Sequence, residues 1–502
     1  MDAGIQDEDV ERVVMASSVI LPSHAFHGWR NLSYAENINT CVSIGAYAFA
    51  HTNIYASSNT TSTLNLACCR TIGSNAFAFC SSLYRVYLYP SLSEIPPGCF
   101  MNCSDLCEVY GLSNIVTVGS SAFMGTKIGY DLVGKSEELA NVVFIGDDAF
   151  HDAHLGGEDE WMYPDGDRGL WVDRNCVHMG ARAFADNPSL RWIGLPGPSL
   201  YSSVYTVSDV EALVGSRRLN IDNGQFSGCS GLSNIINLEF QKSFSTTAIV
   251  GCNSLPFLNL FYVDSMSNIG GSADMDNVPV SYIHIGPALA SQLSTMVSMF
   301  QGCSMLNRVT IATSTGDSGY QFSIPDYCFY GISTLTSVEG LYSCSGIGEG
   351  AFIETNIEFS NPDQLMYVRN IGNYAFNGTQ VDVGYLGNCE YIGASAFVDN
   401  PNISELVFGS SMYYIGERAF DSCTNLNVVY FNNDSSSMPN IAIGSNAFVN
   451  CSNLTDVCLT NTPQTISFAE CCFDSTGLEH LYNLDTVDDG NFGSYMLFNT
   501  NV

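Results

Sequence analysis

Lysine is nearly missing from this chain: Lys127, Lys135 and Lys242 are the only three in 502 residues. With arginine, the basic side chains number 16 against 50 acidic ones, a net charge of −34. A surface of that sign repels phosphodiester backbones and anionic membrane faces. It excludes nucleic acid as a partner and favours cationic partners or divalent cations. Charge of either sign is sparse, at 13% of residues, so the solvated surface is mainly Ser, Asn, Thr, Gly and Tyr. That neutral polar character fits exposure on a cell surface or virus particle. No apolar run reaches the length of a membrane span. The opening residues, Met1 to Asp9, are acidic and do not read as an export signal, so a cytoplasmic location stays open. Histidine is scarce too, with eight scattered residues. None joins a Ser-His-Asp or Cys-His set, so no catalytic group can be assembled and no enzyme is expected.

What the chain does contain is one phrase, repeated from end to end: Ile-Gly-x-x-Ala-Phe-x-x-Cys-x-x-Leu-x-x-Val-x-Leu. One copy runs Ile72-Gly73-Ser74-Asn75-Ala76-Phe77 to Cys80, Leu83, Val86 and Leu88. Another runs Ile443-Gly444-Ser445-Asn446-Ala447-Phe448 to Cys451, Leu454, Val457 and Leu459. The marking phenylalanine recurs from Phe26 to Phe473, with a commonest step of about 23 residues. Ile249 takes its place in one copy and Leu497 in the last. A short version, Phe-x-x-Thr-x-Ile/Val, occurs at Phe352–Ile357 and Phe376–Val381. It is expected to drop a turn and enter its strand early.

A fixed period of this length means stacked coils, each completed by its neighbours. Leu83 to Leu88 alternates, with Val86 and Leu88 facing inward and Tyr87 outward, which predicts one short strand per coil. The expected fold is an α/β repeat solenoid: a curved array of about eighteen coils with one long parallel sheet and short helical or 3-10 turns. The glycine of Ile-Gly is expected in a tight turn of positive φ, and Ala-Phe on a helical turn with the ring plugging the interior. The cysteine slot is read as compact apolar filler. Of the nineteen cysteines, those in the slot are expected as reduced, packed thiols. Cys107, Cys389 and Cys458 fall outside it and are expected nearer the surface. Of the doublets Cys68-Cys69 and Cys471-Cys472, at most one member each is expected inside. Residues 1–19 form a cap or arm, and 20–502 a single solenoid with insertions near 151–176, 196–222, 260–298 and 310–322.

The repeated phrase, at this spacing and over nearly the whole chain, resembles the BspA-like class of leucine-rich repeats. The resemblance implies a non-catalytic surface adhesin or binding scaffold. Two binding surfaces are expected. The first is the outward sheet face, carrying Tyr87, Tyr110, Asn237, Asn259, Thr310, Glu339, Glu358, Asp382, Tyr430 and Tyr482. Stacked outward positions make a continuous recognition ribbon for a protein or glycan. The second is the insertion bearing Trp161, Tyr163 and Trp171, since Trp and Tyr dominate interface hot spots. His151 and His154, with Asp165 and Asp167 downstream, are weak candidate ligands for a metal, with Ca2+ suited to the carboxylates and Zn2+ to the histidines. The last copy stops at Thr500-Asn501-Val502. That open coil end gives the alternative expectation: a structural subunit of a virion, filament or cell-surface layer, docked or self-associated through the C-terminal coil.

Overall fold

The computed structural model describes residues 10–56, 63–132, 139–156, 169–197, 218–267, 280–295, 300, 303–312, 322–359, 361–432, 440–460, 466–482 and 492–501. The chain is a parallel β-solenoid of about 16 turns with little helix. It divides into two compact units, the first built on Met1–Leu258 with Tyr262–Asn268 and the second on Asn259–Phe261 with Ile269–Val502.

Each full coil gives two strands where the alternation pattern showed one. The longer follows from the Leu-x-x-Val-x-Leu stretch. In the first unit Arg85–Tyr87 pairs in parallel with Leu64–Asn65 and Glu108–Tyr110, with Val86 opposite Leu64 and Val109. In the second unit Glu405–Phe408, Val428–Asn432, Asp456–Thr460 and His480–Tyr482 continue the same pattern. The shorter strand is the x-Ile pair before the glycine. Ser43–Ile44 and Thr71–Ile72 pair in the first unit. In the second unit seven such strands lie side by side, from Phe322–Ile324 to Ile466–Phe468. The expected N-terminal cap also joins in, since Arg12–Val14 pairs with Tyr34–Glu36.

The Ala-Phe segment is neither helix nor strand. Its N–H groups alternate in direction. Asn75, Phe77 and Phe79 donate to Pro97, Cys99 and Met101 of the next coil at 2.9, 2.9 and 2.7 Å. Ala76, Ala78 and Cys80 donate back to Gly73, Asn75 and Phe77 within the coil at 3.2, 3.2 and 3.3 Å. This zigzag satisfies every buried donor of the segment. It needs a left-handed residue at every fourth position, here Asn75 at φ 57° and Phe79 at φ 61°. Asn, Asp and Gly adopt that region at least cost.

Gly73 itself does not occupy the left-handed region. Its role is close approach, because a Cβ there would sit 2.3 Å from the backbone nitrogen of Ala46.

Inside, the phenylalanines stack in file. In the first unit Phe49, Phe77, Phe100, Phe123 and Phe150 follow at centroid spacings of 5.4 to 5.6 Å. In the second, Phe352, Phe376, Phe397, Phe420 and Phe448 follow at 5.0 to 5.4 Å. All are fully buried. Burial of each is worth roughly 1.5–3 kcal/mol. Ile249 fills the same place, buried and in register beside Phe226.

The slot cysteines are more than filler. The Cys103 thiol donates to the Phe77 carbonyl at 3.0 Å, and Cys451 to Phe420 at 3.1 Å, each reaching back one coil. All nineteen cysteines are unbridged thiols. Cys389 is buried, contrary to expectation, while Cys107 and Cys458 are half-buried. Cys389 occupies a second interior slot, three residues before the short-strand Ile392, where its thiol lies 3.5 Å from the Tyr391 carbonyl. Each doublet buries one member, Cys69 and Cys472.

The short repeats differ from expectation. After Phe352 and Phe376 the chain forms no strand at 355–359 or 379–384. Thr355 and Thr379 instead turn their hydroxyls back to the phenylalanine carbonyls at 2.8 and 2.9 Å. In the 151–176 range, the described residues are ordinary parts of coils, including the strand Gly169–Trp171.

Candidate functional site

The outward face of the longer strands is the candidate site. Register places Tyr110 beside Tyr87 and Glu108 beside Arg85. The two tyrosine rings stack at 4.4 Å and 11°, and Tyr87 remains 44% exposed. Arg85 grips Glu108 with two bonds, Nε to Oε2 at 2.5 Å and Nη2 to Oε1 at 2.7 Å. The Tyr110 hydroxyl donates to Glu108 Oε2 at 2.6 Å. That bond pushes the Tyr110 phenol up to about 12, because ionisation would set a phenolate against a carboxylate. The result is a fixed plate of two rings and one ion pair.

A second plate lies in the second unit. Tyr282 pairs with Arg308, and Thr310 with Glu339, on three adjoining strands. The Arg308 guanidinium sits 5.0 Å from the centre of the Tyr282 ring and 2.8 Å from Glu339. The Tyr282 hydroxyl donates to Thr310 at 3.2 Å, and Thr310 to Glu339 at 3.3 Å. Further along, Tyr385, Val407, Tyr430, Cys458 and Tyr482 share one outward column. Tyr482 is 47% exposed, and His480 beside it faces Asp456 at 3.2 Å.

Three expected members, Asn237, Asp382 and Glu358, do not stand on the face. Asn237 is buried in a left-handed turn at φ 64°, where its amide donates to the Leu195 carbonyl at 3.0 Å. Asp382 is half-buried outside any strand, and burial holds its carboxyl above the usual range. Asn259 lies half-buried in Phe257–Leu260, with its side-chain oxygen accepting from the Phe261 N–H at 3.3 Å. Glu358 is exposed but off the ladder. Arg85, Glu108, Tyr282, Arg308 and Tyr385 were not singled out from sequence. Their signal is a partner one repeat away, visible only once register is known.

Trp171 is not part of a separate knob. It lies on the strand Gly169–Trp171, edge-on to Trp192 of the next strand at 5.4 Å. Trp161 and Tyr163 lie outside the described residues. So do Asp165 and Asp167. His151 faces Asp186 at 3.4 Å, while the His154 Nδ1 meets the Thr126 carbonyl at 3.1 Å, so the two histidines address different neighbours. Among the described residues no group of three or more His, Cys, Asp or Glu is arranged to hold a metal. No described helix is long and apolar enough to cross a membrane.

Comparison with known proteins bears on this scaffold. A leucine-rich repeat protein from Bacteroides ovatus is similar over 89% of this chain and 86% of its own, at 18% identity and TM-score 0.36. The leucine-rich repeat protein of T. pallidum covers 49% of this chain and 78% of its own, at 20% identity and TM-score 0.24. A leucine rich cell surface protein from Faecalibacterium prausnitzii covers 90% and 89%, at 13% identity and TM-score 0.24. Comparison with curated proteins finds no match. The BspA type leucine rich repeat region matches residues 9–155, 219–322, 296–427 and 369–501. Proteins built on this repeat are typically non-catalytic binding scaffolds, and by that match the chain belongs to the BspA type leucine-rich-repeat family.

Proposed function

We propose that the chain is a non-catalytic, surface-exposed recognition protein that holds a protein or glycan partner on the outward face of its longer strands. The observation carrying this reading is the Tyr87–Tyr110 stack locked beside the Arg85–Glu108 pair. Tyrosine offers large contact area with few rotors to freeze, and a pre-ordered plate lowers the entropy lost on binding. Trp171 and Trp192 extend the same kind of face. The strong negative charge steers cationic partners toward it. Exposure on a cell or virus particle is the setting this reading requires.

The test compares wild type with the Tyr87→Ser, Tyr110→Ser double variant for binding to a cell-surface protein extract and to a glycan panel. Tyr413→Ser, beside the shorter strands, is the control. A loss of more than about tenfold, or ~1.4 kcal/mol, in the double variant alone is the expected result. Unchanged binding by a folded double variant refutes the reading. The competing reading is a structural subunit of a virion, filament or surface layer. It predicts concentration-dependent self-association, which light scattering detects.

A further inference from the structure

A polar side chain three residues after a stacked phenylalanine bonds to that ring's carbonyl or to the preceding coil's, but sulfur is not required for this. Thr126 and Thr379 donate to the carbonyls of Phe123 and Phe376 at 2.8 and 2.9 Å, and the Asn400 amide reaches Phe376 at 2.7 Å. The cysteines that take this place nevertheless fall on successive coils. Cys80 is followed by Cys103, Cys229 by Cys252 and Cys423 by Cys451; only Cys303 stands alone. Neither apolar packing nor the carbonyl bond explains that pairing.

Register makes the pairs neighbours. Phe77 stacks on Phe100, so Cys80 and Cys103, each three residues on, lie opposite one another. Phe420 stacks on Phe448, which does the same for Cys423 and Cys451. All four side chains are fully buried, and each thiol donates to a phenylalanine carbonyl of the preceding coil at 3.0 to 3.2 Å. Neighbouring rungs are spaced about 4.8 Å apart, inside the range of roughly 4.4–6.8 Å that a disulfide spans between Cα atoms. Bridging takes the Cys423 thiol away from the Phe397 carbonyl, 3.2 Å from it in the reduced coil, but leaves the other three carbonyls bonded. Phe77 keeps the Cys80 N–H at 3.3 Å, Phe420 keeps the Cys423 N–H at 3.3 Å, and Phe49 keeps the Thr52 hydroxyl at 2.8 Å.

We propose that Cys80–Cys103 and Cys423–Cys451 are oxidative modification sites, each closing to an inter-coil disulfide when the protein meets a small disulfide such as oxidised glutathione. One thiolate of the pair attacks the small disulfide, forms a mixed disulfide and releases one glutathione thiolate. The second cysteine, as thiolate, attacks the first cysteine's sulfur in that mixed disulfide, breaks its bond to glutathione, closes the bridge and releases the other glutathione thiolate. The two protons lost by the cysteines go to the two released thiolates. Burial suppresses the reaction in the closed coil, so exchange proceeds through local opening.

The full chain is incubated with oxidised glutathione a few degrees below its thermal midpoint, where coils open readily. It is then alkylated, digested and mapped by mass spectrometry. Crosslinked peptides joining Cys80 to Cys103 and Cys423 to Cys451, with Cys303 unbridged, are expected. The oxidised chain melts above the reduced one. That gain vanishes in the Cys103→Thr, Cys451→Thr double variant, whose reduced form melts with wild type because threonine serves the same slot. Mixed glutathione adducts without crosslinks, pairs scrambled at similar abundance, or no modification overturn the proposal. So does an oxidative gain that survives in the double variant. The wild-type peptide map decides the matter even where that variant folds poorly.

Discussion

Trp171 lies flat across Gly194 of the next strand, so close that a Cβ on that glycine would sit 2.0 Å from the indole. Trp192 covers Gly169 in the reverse direction, with a corresponding distance of 1.8 Å. Each tryptophan uses the space left by a missing side chain on the other's strand. The two large rings thereby stay fixed on an outward face, where they add to the candidate binding surface rather than sweep through solvent.

Gly194→Ala should therefore displace Trp171. The expected cost is about 1–3 kcal/mol, the usual range for an added methyl in a filled site. Chemical denaturation gives the magnitude, and a red shift in tryptophan emission shows that the indole has moved into solvent. An unshifted spectrum with unchanged stability contradicts the packing described here.

Phe100→Ala should break the ring file between Phe77 and Phe123, each 5.6 Å away. The loss is expected at about 3–5 kcal/mol. Coils contact only their neighbours, so the damage should be local before it is global. Hydrogen exchange should accelerate first at the amides of Phe77 and Asn102, which flank the gap. Uniform acceleration over distant coils counts against a nearest-neighbour architecture.

Tyr110 should ionise late. Its pKa is raised to about 12 by its bond to Glu108, against about 10 for a free tyrosine. The folded state therefore holds the proton more tightly than the unfolded one. The stabilisation is complete below about pH 10 and is lost as pH rises through about 12. Glu108→Gln removes the carboxylate and should return the titration toward the ordinary range. Difference absorbance of the phenolate in wild type and variant reads this directly. Identical titrations show that the bond does not persist in solution.

Much of the fold was legible because periodicity survives without neighbours. The phenylalanine step, the degenerate Ile249 and the slot cysteines all fell where the period put them. The shorter strands did not show themselves, since two residues such as Thr71–Ile72 are too few to display alternation. Gly73 was misread as a left-handed turn because the atom that demands glycine there, the Ala46 nitrogen, belongs to another coil. The site was less legible than the fold. Tyr87, Tyr110, Tyr430 and Tyr482 were found by alternation alone. Arg85 and Glu108 were passed over because their bond spans one full repeat. Asn237, Asp382 and Glu358 were placed by counting along the chain, but a left-handed turn took Asn237 off the face and the short repeats form no strand at Glu358 or Asp382.

By itself the sequence determined that the chain coils, how often it does so, and which residues face inward, because burial of an apolar stripe depends only on its period. Tertiary structure alone decided which outward side chains became neighbours. Contacts between coils depend on register and on left-handed turns, and those are settled only when one coil is laid against the next.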